Sequence, residues 1–465
     1  MTLQAKLARN LFYPLALVKA GEAATLRYQR EFDRSQYVSA DELRELRWRR
    51  LQALLRHAYA SCPFYRQRMK SVGLHPDEVR DESDLGRLPP LEKSDIQRHG
   101  ADLIACGWPT HDLIRNQTGG STGTPITFFL SRDRKCSRAA ATVRHNRWAG
   151  YDVGDSAAVL WGAPRDRPTQ GWRSRLRNWA LAEPLWLDAA HLSEASLRGF
   201  RETLCRRRPE ILQAYARVLV LFARYLEYHR LDVPRPRGII SSAEVLEEAD
   251  RALVERVFGC RVFNRYGCRE VSVVASECEA HNGLHLMAEG LYVEIETPHG
   301  PAQPGEIGSV LITDLLNYAM PLIRYRIGDM AAWASGNCSC GRALPRLEKI
   351  AGRVTDFLVG DAGQLVSGVF LATYVVAQRP SLGQVQIVQH RAGMVTYRIK
   401  PSEQFDPIGD AEYLRQATRE YLGARAECDL EVVEQLPPSA SGKFLFSRSS
   451  VTPAFVSGSP DGLRV

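Results

Sequence analysis

Residues 115–130 read RNQTGGSTGTPITFFL. Glycine, threonine and serine fill the first half, and β-branched and aromatic residues fill the second. That is the pattern of a tight polar turn running into a strand. Glycines let the backbone bend so that several N–H groups converge on one anion. The hydroxyls of Thr118, Ser121, Thr122 and Thr124 add donors around Gly119, Gly120 and Gly123, so the loop suits a polyphosphate. It is not the G-x-x-x-x-G-K-[ST] loop, because no lysine follows.

Working outward, residues 134–150 predict a helix, 157–163 (AAVLWGA) a buried strand, and 194–232 two helices. RGIISSAE (237–244) predicts a strand ending in a polar turn, followed by a helix over 246–258, a short strand over 260–267 and a strand-rich region over 284–334. Upstream, residues 1–100 read as helical. Leu43, Leu46, Leu51, Leu54 and Leu55 recur near helical spacing, and Pro63, Pro76 and Pro89-Pro90 break the segment. Helices alternating with strands favour α/β layers over a bundle. Past GRVTDFLVGDAGQLVS (352–367), strands over 385–400 and 428–436 flank a helix near 409–424, and PPSASGKFLFSRS reads as a loop. The chain therefore divides into an N-terminal α/β domain, 1–353, and a small α+β domain, 354–465, within ordinary domain sizes.

The 465 residues, 45% hydrophobic and 25% charged, are ordinary for a globular chain of two to four domains. No apolar run reaches the length of a membrane span, about 18 residues. The weakly apolar stretch 11–18 is interrupted by Pro14 and does not read as a secretory signal. The net charge of +8, from 61 basic and 53 acidic residues, suits anionic small molecules. No basic, aromatic-interleaved module is present, so nucleic acid is not an expected partner. Ten cysteines are too sparse for a disulfide scaffold, which places the chain in the cytoplasm. Cys338-Ser339-Cys340 is a close pair that points to metal. With Cys278 and either His281 or His285, in SECEAHNGLH, it makes a four-ligand zinc set.

Seven stretches, in order, resemble the adenylate-forming ligase superfamily. They are CPFYRQRM…LGRLPPLEKSDI (62–96), TGGSTGTP (118–125), SSAE (241–244), YGCRE (266–270), PLIRYRIGDM (321–330), GRVTDFL (352–358) and SGK (441–443). Within it the chain most resembles the phenylacetate–coenzyme A ligase-like branch, which includes capsule-biosynthesis-type members, and the likeness covers nearly the whole sequence. The resemblance implies a large N-terminal domain of layered α/β subdomains and a small mobile C-terminal domain. It also implies a two-step reaction: a carboxylate attacks the α-phosphate of ATP, giving acyl-adenylate and pyrophosphate, and coenzyme A then displaces AMP. An amine or a carrier-protein thiol is the alternative acceptor, and a non-catalytic nucleotide-binding relative is the rival of another class.

The resemblance also implies roles. Thr118 to Thr124 would orient the phosphates. Ser242, Ala243 and Glu244 would lie along the adenine, with Tyr266 and Gly267 beside it. Glu270 would face Mg²⁺, a hard cation that takes oxygen ligands. Asp329 would accept from the ribose hydroxyls, Arg353 would sit near the ribose or phosphate, and Lys443 would reach the α-phosphate and the reacting carboxylate. Arg324 and Arg326 are expected to be scaffold. A structural zinc in some members of the branch favours His285 over His281. At the hinge position, where an aspartate or lysine is usual, this chain has Thr355. Trp161, Tyr215 and residues 266–275 are the candidates for an acid pocket, which makes an aromatic or bulky apolar acid reasonable. A homodimer is left open.

Overall fold

Ser39 opens the helix Ala40–Ser61 with a capping box. Its hydroxyl accepts from the Glu42 N–H, and the Glu42 carboxylate accepts from the Ser39 N–H. Leu43, Leu51, Leu54 and Leu55 face inward from it, as their spacing requires, and Leu46 is half-buried. Pro63 starts the next helix, Pro63–Ser71, where a missing N–H costs nothing. The computed structural model describes residues 2–117, 126–161, 185–188, 192–297, 300–350, 357–368, 371–436, 447–449 and 451.

Strands β1 (Ile114–Gln117) and β2 (Thr127–Leu130) pair antiparallel and bracket the Gly/Thr loop. A twelve-stranded sheet follows. Its parallel part comprises β3 (Ala157–Trp161), β4 (Leu185–Asp188), β5 (Ile211–Tyr215), β6 (Gly238–Ser242) and β7 (Val262–Cys268). Its antiparallel part comprises β8 (Ser272–Glu277), β9 (Leu284–Leu286), β10 (Leu291–Thr297), β11 (Gly300–Pro301), β12 (Ile307–Asp314), β13 (Tyr325–Trp333) and β14 (Arg346–Ile350). The order across the sheet is β11-β10-β12-β13-β14-β9-β8-β7-β6-β5-β3-β4. Helices Ala216–Tyr228 and Glu248–Phe258 connect the parallel strands, the crossover that parallel pairing demands. The first is buried along most of its length against Leu160, Leu212 and Ile239.

Two long segments are joined by backbone as well as by packing. Leu91 bridges Tyr325 in parallel: its N–H donates to the Arg324 carbonyl and its own carbonyl accepts from the Arg326 N–H, both at 3.0 Å.

The C-terminal segment builds its own sheet and core. β15 (Phe357–Val359) pairs with β16 (Leu365–Ser367). β17 (Gln384–Arg391), β18 (Met394–Lys400), β19 (Glu427–Val432) and β20 (Ser447–Ser449) form a sheet in the order β19-β18-β17-β20. Leu414 and Leu422 of helix Pro407–Leu422 meet Ile387, Tyr397 and Ile399 beneath it. This is the α+β unit that the sequence predicts.

Two readings need correction. The 194–232 segment is not only helical, since β5 lies between its helices and pairs with both β3 and β6. The terminal segment is not all loop, since β20 runs parallel to β17.

Candidate active site and metal centre

In open parallel sheets ligands bind beyond the carboxyl ends of the strands. Here Trp161 ends β3, Tyr215 ends β5 and Ser242 ends β6, and Ser242 stands in register with both Tyr215 and Arg265 of β7. The Trp161 and Tyr215 rings lie 4.2 Å apart, tilted by 39°, so the two acid-pocket candidates form one aromatic wall. Past Ser242 the chain turns through Ala243, whose φ of 71° is unusual for a residue other than glycine. The Glu244 carboxylate accepts from the Arg217 N–H at 2.8 Å, in the first turn of helix Ala216–Tyr228. A carboxylate is stabilised there by the helix dipole. It holds the turn in place, a task the motif reading did not include.

The tight β7–β8 hairpin supplies the next group. A Cβ on Gly267 would meet the Ser272 carbonyl at 2.6 Å, so only glycine fits. The Tyr266 hydroxyl donates to the Asp329 carboxylate at 2.9 Å, and the Tyr325 hydroxyl donates to the Glu270 carboxylate at 3.0 Å. Thus YGCRE and RYRIGDM are cross-linked by two tyrosine–carboxylate hydrogen bonds, with both tyrosines buried. Removal from water, followed by the Glu270 carboxylate, pushes the Cys268 thiol well above its ordinary value. It is a neutral, weakly polar neighbour of Glu270.

Tyr325 was not among the sequence candidates. It opens β13 directly after Arg324, whose backbone is left-handed at φ 51°, and no local pattern marks it. The arginines are scaffold, as expected. Arg324 donates to the Gly86 carbonyl at 3.0 Å and pairs with Glu294 at 3.1 Å, and Arg326 pairs with Glu92 and Glu296 at 2.9 Å each. Removal from water pushes Glu294 up to about 7 despite its arginine. Thr118 to Thr124, Arg353, Thr355 and Lys443 lie outside the described residues.

The second constellation is built from three separate stretches. Cys278 follows β8, His285 sits in the middle of β9, and Cys338 and Cys340 occupy the turn before β14. Their ligand atoms all lie within 4.8 Å of one another. The Cys278 and Cys338 sulfurs are 3.7 Å apart. Two thiolates on a tetrahedral zinc with bonds of about 2.3 Å stand roughly 3.8 Å apart, so the spacing fits. The Cys340 sulfur is 3.2 Å from His285 Nε2.

His285 Nδ1 lies 3.2 Å from the Leu344 carbonyl. If Nδ1 carries the proton it donates there and leaves Nε2 for a metal, the usual outer-shell arrangement. Burial holds His285 down at about 4, which keeps the ring neutral, and pushes the Cys278 thiol up to about 12. His281 is not part of the cluster: it turns to Glu277 at 3.5 Å and packs on Phe263. Around the turn Arg342 pairs with Glu279 at 2.9 Å, donates to the Gln36 side chain at 2.9 Å and lies over the Trp148 ring. Four protein donors without an open position suit a structural ion.

The CapK C-terminal domain family matches residues 358–449. The chain is 28% identical to the phenylacetate-coenzyme A ligase of Escherichia coli (strain K12) over 344 residues, 71% of this chain and 75% of the relative. It is 23% identical to protein CapK of Staphylococcus aureus over 423 residues, 88% of this chain and 90% of CapK. Among solved structures, 2-hydroxyisobutyryl-CoA ligase in complex with 2-HIB-AMP and CoA in the thioesterification state superposes with a TM-score of 0.62. That match is 21% identical and covers 90% of this chain and 91% of the other, a likeness of fold. Together with the ordered motifs, these similarities support the resemblance to the phenylacetate–coenzyme A ligase-like, capsule-biosynthesis-type branch of the adenylate-forming ligases.

Proposed function

We propose that this chain is an ATP-dependent, AMP-forming carboxylate ligase that passes its acyl group to coenzyme A. The observation that carries the reading is the pair of tyrosine-held carboxylates, Asp329 of β13 on Tyr266 of β7, and Glu270, just past the carboxyl end of β7, on Tyr325. A carboxylate suits a vicinal diol because it can accept from both hydroxyls, and Asp329 would bind the ribose. Glu270 would hold Mg²⁺, which neutralises phosphate charge when bound. In the first step a carboxylate oxygen of the acid bonds to the α-phosphorus and pyrophosphate leaves. In the second the coenzyme A sulfur bonds to the acyl carbon, the thiol proton is lost and AMP leaves.

Thr118 to Thr124 would cradle the departing phosphates, and Lys443 would donate to the α-phosphate and the reacting carboxylate as charge builds. Charge that develops in the transition state is where preorganised donors count most. Ser242, Ala243 and Gly267 would bound the adenine, and Arg353 would meet the ribose or phosphate. The Trp161–Tyr215 wall favours an aromatic acid such as phenylacetate, the acid in the name of the Escherichia coli relative. The C-terminal domain would begin near residue 354 and turn between the half-reactions about Thr355. A hinge need only absorb torsion, so threonine serves. Cys278, His285, Cys338 and Cys340 would hold a structural zinc. The ten free cysteines suit a reducing compartment such as the cytoplasm.

Carboxylate-dependent exchange of labelled pyrophosphate into ATP, followed by thioester formation on adding coenzyme A, tests the reading. No exchange with any of a panel of aromatic and aliphatic acids would overturn it. Exchange followed by transfer only to an amine or a carrier protein would reassign the second step. In the same assay Asp329→Ala should raise the apparent constant for ATP by roughly 10- to 150-fold, the scale of hydrogen bonds to a charged acceptor. The parent should prefer ATP to its deoxyribose analogue and the variant should not. A variant that still discriminates would place the ribose elsewhere. Tyr266→Phe, which keeps Asp329 but removes the hydroxyl that donates to it, should give a smaller effect of the same kind.

A further inference from the structure

The first residues form one helical rod that turns its large apolar side chains outward. Leu3–Leu7 and Tyr13–Lys19 are α-helical, and Ala8–Phe12 between them is a π-helical turn. The rod thus runs through Pro14, where the sequence reading placed an interruption. Proline lacks an N–H and crowds the carbonyl four residues back. That residue is Asn10, inside the widened turn, which absorbs the clash.

The inward face is small and fixed. Ala5, Ala8 and Leu17 are buried. The fit is tight enough that a Cβ on Gly154 would meet the Ala5 carbonyl at 2.8 Å. Arg9 clamps the rod to the body through the Val153 carbonyl at 3.2 Å, Asp152 at 3.3 Å and Asp155 at 3.4 Å.

The outward face carries Leu3, Leu7, Leu11, Leu15 and Val18, with relative exposures of 74%, 41%, 46%, 57% and 61%. They are five of the ten large hydrophobic side chains exposed among the described residues. A set repeating every four positions drifts by about 40° per repeat around an α-helix. A π turn holds more residues and winds that drift back, so the five stay on one stripe. The stripe is roughly 24 Å long at 1.5 Å per residue and exposes on the order of 500 Å², in the range where patches mark interaction sites.

Charge selects what covers it. Between Met1 and Gly21 there is no acidic residue, whereas Lys6, Arg9 and Lys19 are present. With Arg9 spent on the body, Lys6 beside Leu7 and Lys19 beside Val18 remain exposed at the two ends of the stripe. A stable contact with a second copy needs about 800 Å² on each partner, more than this face offers. An apolar stripe flanked by lysines is the signature of a helix lying in a lipid interface. We propose that the helix 3–19 seats this chain on an anionic membrane surface, with the five apolar side chains in the acyl boundary and Lys6 and Lys19 against lipid phosphates.

The test is flotation of the full chain with vesicles of phosphatidylcholine mixed with phosphatidylglycerol, and with phosphatidylcholine alone. The parent should float with the anionic vesicles and bind the neutral ones much less. Leu11→Glu/Leu15→Glu should lower binding about tenfold or more for each leucine, with the melting temperature and pyrophosphate exchange kept. Lys6→Glu/Lys19→Glu should erase the preference for the anionic lipid. Equal flotation of parent and leucine variant, or flotation of neither, would overturn the proposal. So would light scattering that shows the parent dimeric and the leucine variant monomeric, which would make the stripe an interface between copies.

Discussion

Lys443→Ala is expected to slow adenylate formation by about 10²- to 10³-fold, the effect of removing one preorganised donor from a developing negative charge. Use of a supplied acyl-adenylate should change far less, because the attack on the α-phosphorus is already complete and pyrophosphate has left. The chain makes this contrast sharp. Lysine is scarce in a sequence whose basic residues are mostly arginine, and Lys443 stands in PPSASGKFLF, between β19 and β20. A lysine ammonium is a compact point charge on a flexible stem, whereas a guanidinium is a planar fork. The two half-reactions should be measured separately, by pyrophosphate exchange and by thioester formation from the adenylate. Equal loss in both would make Lys443 structural. Lys443→Arg should restore only part of the rate, since the guanidinium differs in shape and hydration.

Loss of the metal should be the largest effect on stability. Purified protein should hold about one zinc per chain. Cys338→Ser should release it and cost about 4 kcal/mol or more, the range in which lost metals fall among single substitutions. The reason lies in the topology: Cys278 and Cys338 are 60 residues apart, and the cluster ties β8 and β9 to the turn before β14. His285→Ala should lower the zinc content and His281→Ala should not, because only His285 points a nitrogen at Cys340. Metal analysis of freshly purified protein that has met no chelator, together with denaturant unfolding, reads both. Absence of zinc there would remove the claim.

Local chemistry made much of this legible. The alternation of helices and strands, the α+β tail and the proline breaks between the early helices follow from periodicity and punctuation. The Cys/His cluster was legible from the close pair Cys338-Ser339-Cys340, and the preference for His285 over His281 came from the family resemblance. What escaped depended on partners distant in sequence. β5 is five residues long between two helices and is a strand because β3 and β6 flank it. β20, Ser-Arg-Ser, has no strand pattern and is held by β17. The bond from Tyr325 to Glu270 spans 55 residues and that from Tyr266 to Asp329 spans 63, separations that no local pattern encodes. The outward leucines were read as a weak apolar run because Pro14 hid their common face.

The backbone bridge at Leu91 ties the early helical region to the strand that carries Tyr325 and Asp329. Leu91 is hydrogen-bonded on both sides of Tyr325, and Tyr325 holds Glu270. The first hundred residues are therefore no detachable preface. A gene fragment opening just past residue 100 would keep every motif of the nucleotide site, yet it would lose the splint that sets the height of Tyr325. Inheritance of that segment is coupled to the hydrogen bond: insertions are tolerable in the turns ahead of Leu91, whereas a one-residue slip at Leu91 itself would be felt as far away as the Glu270 carboxylate.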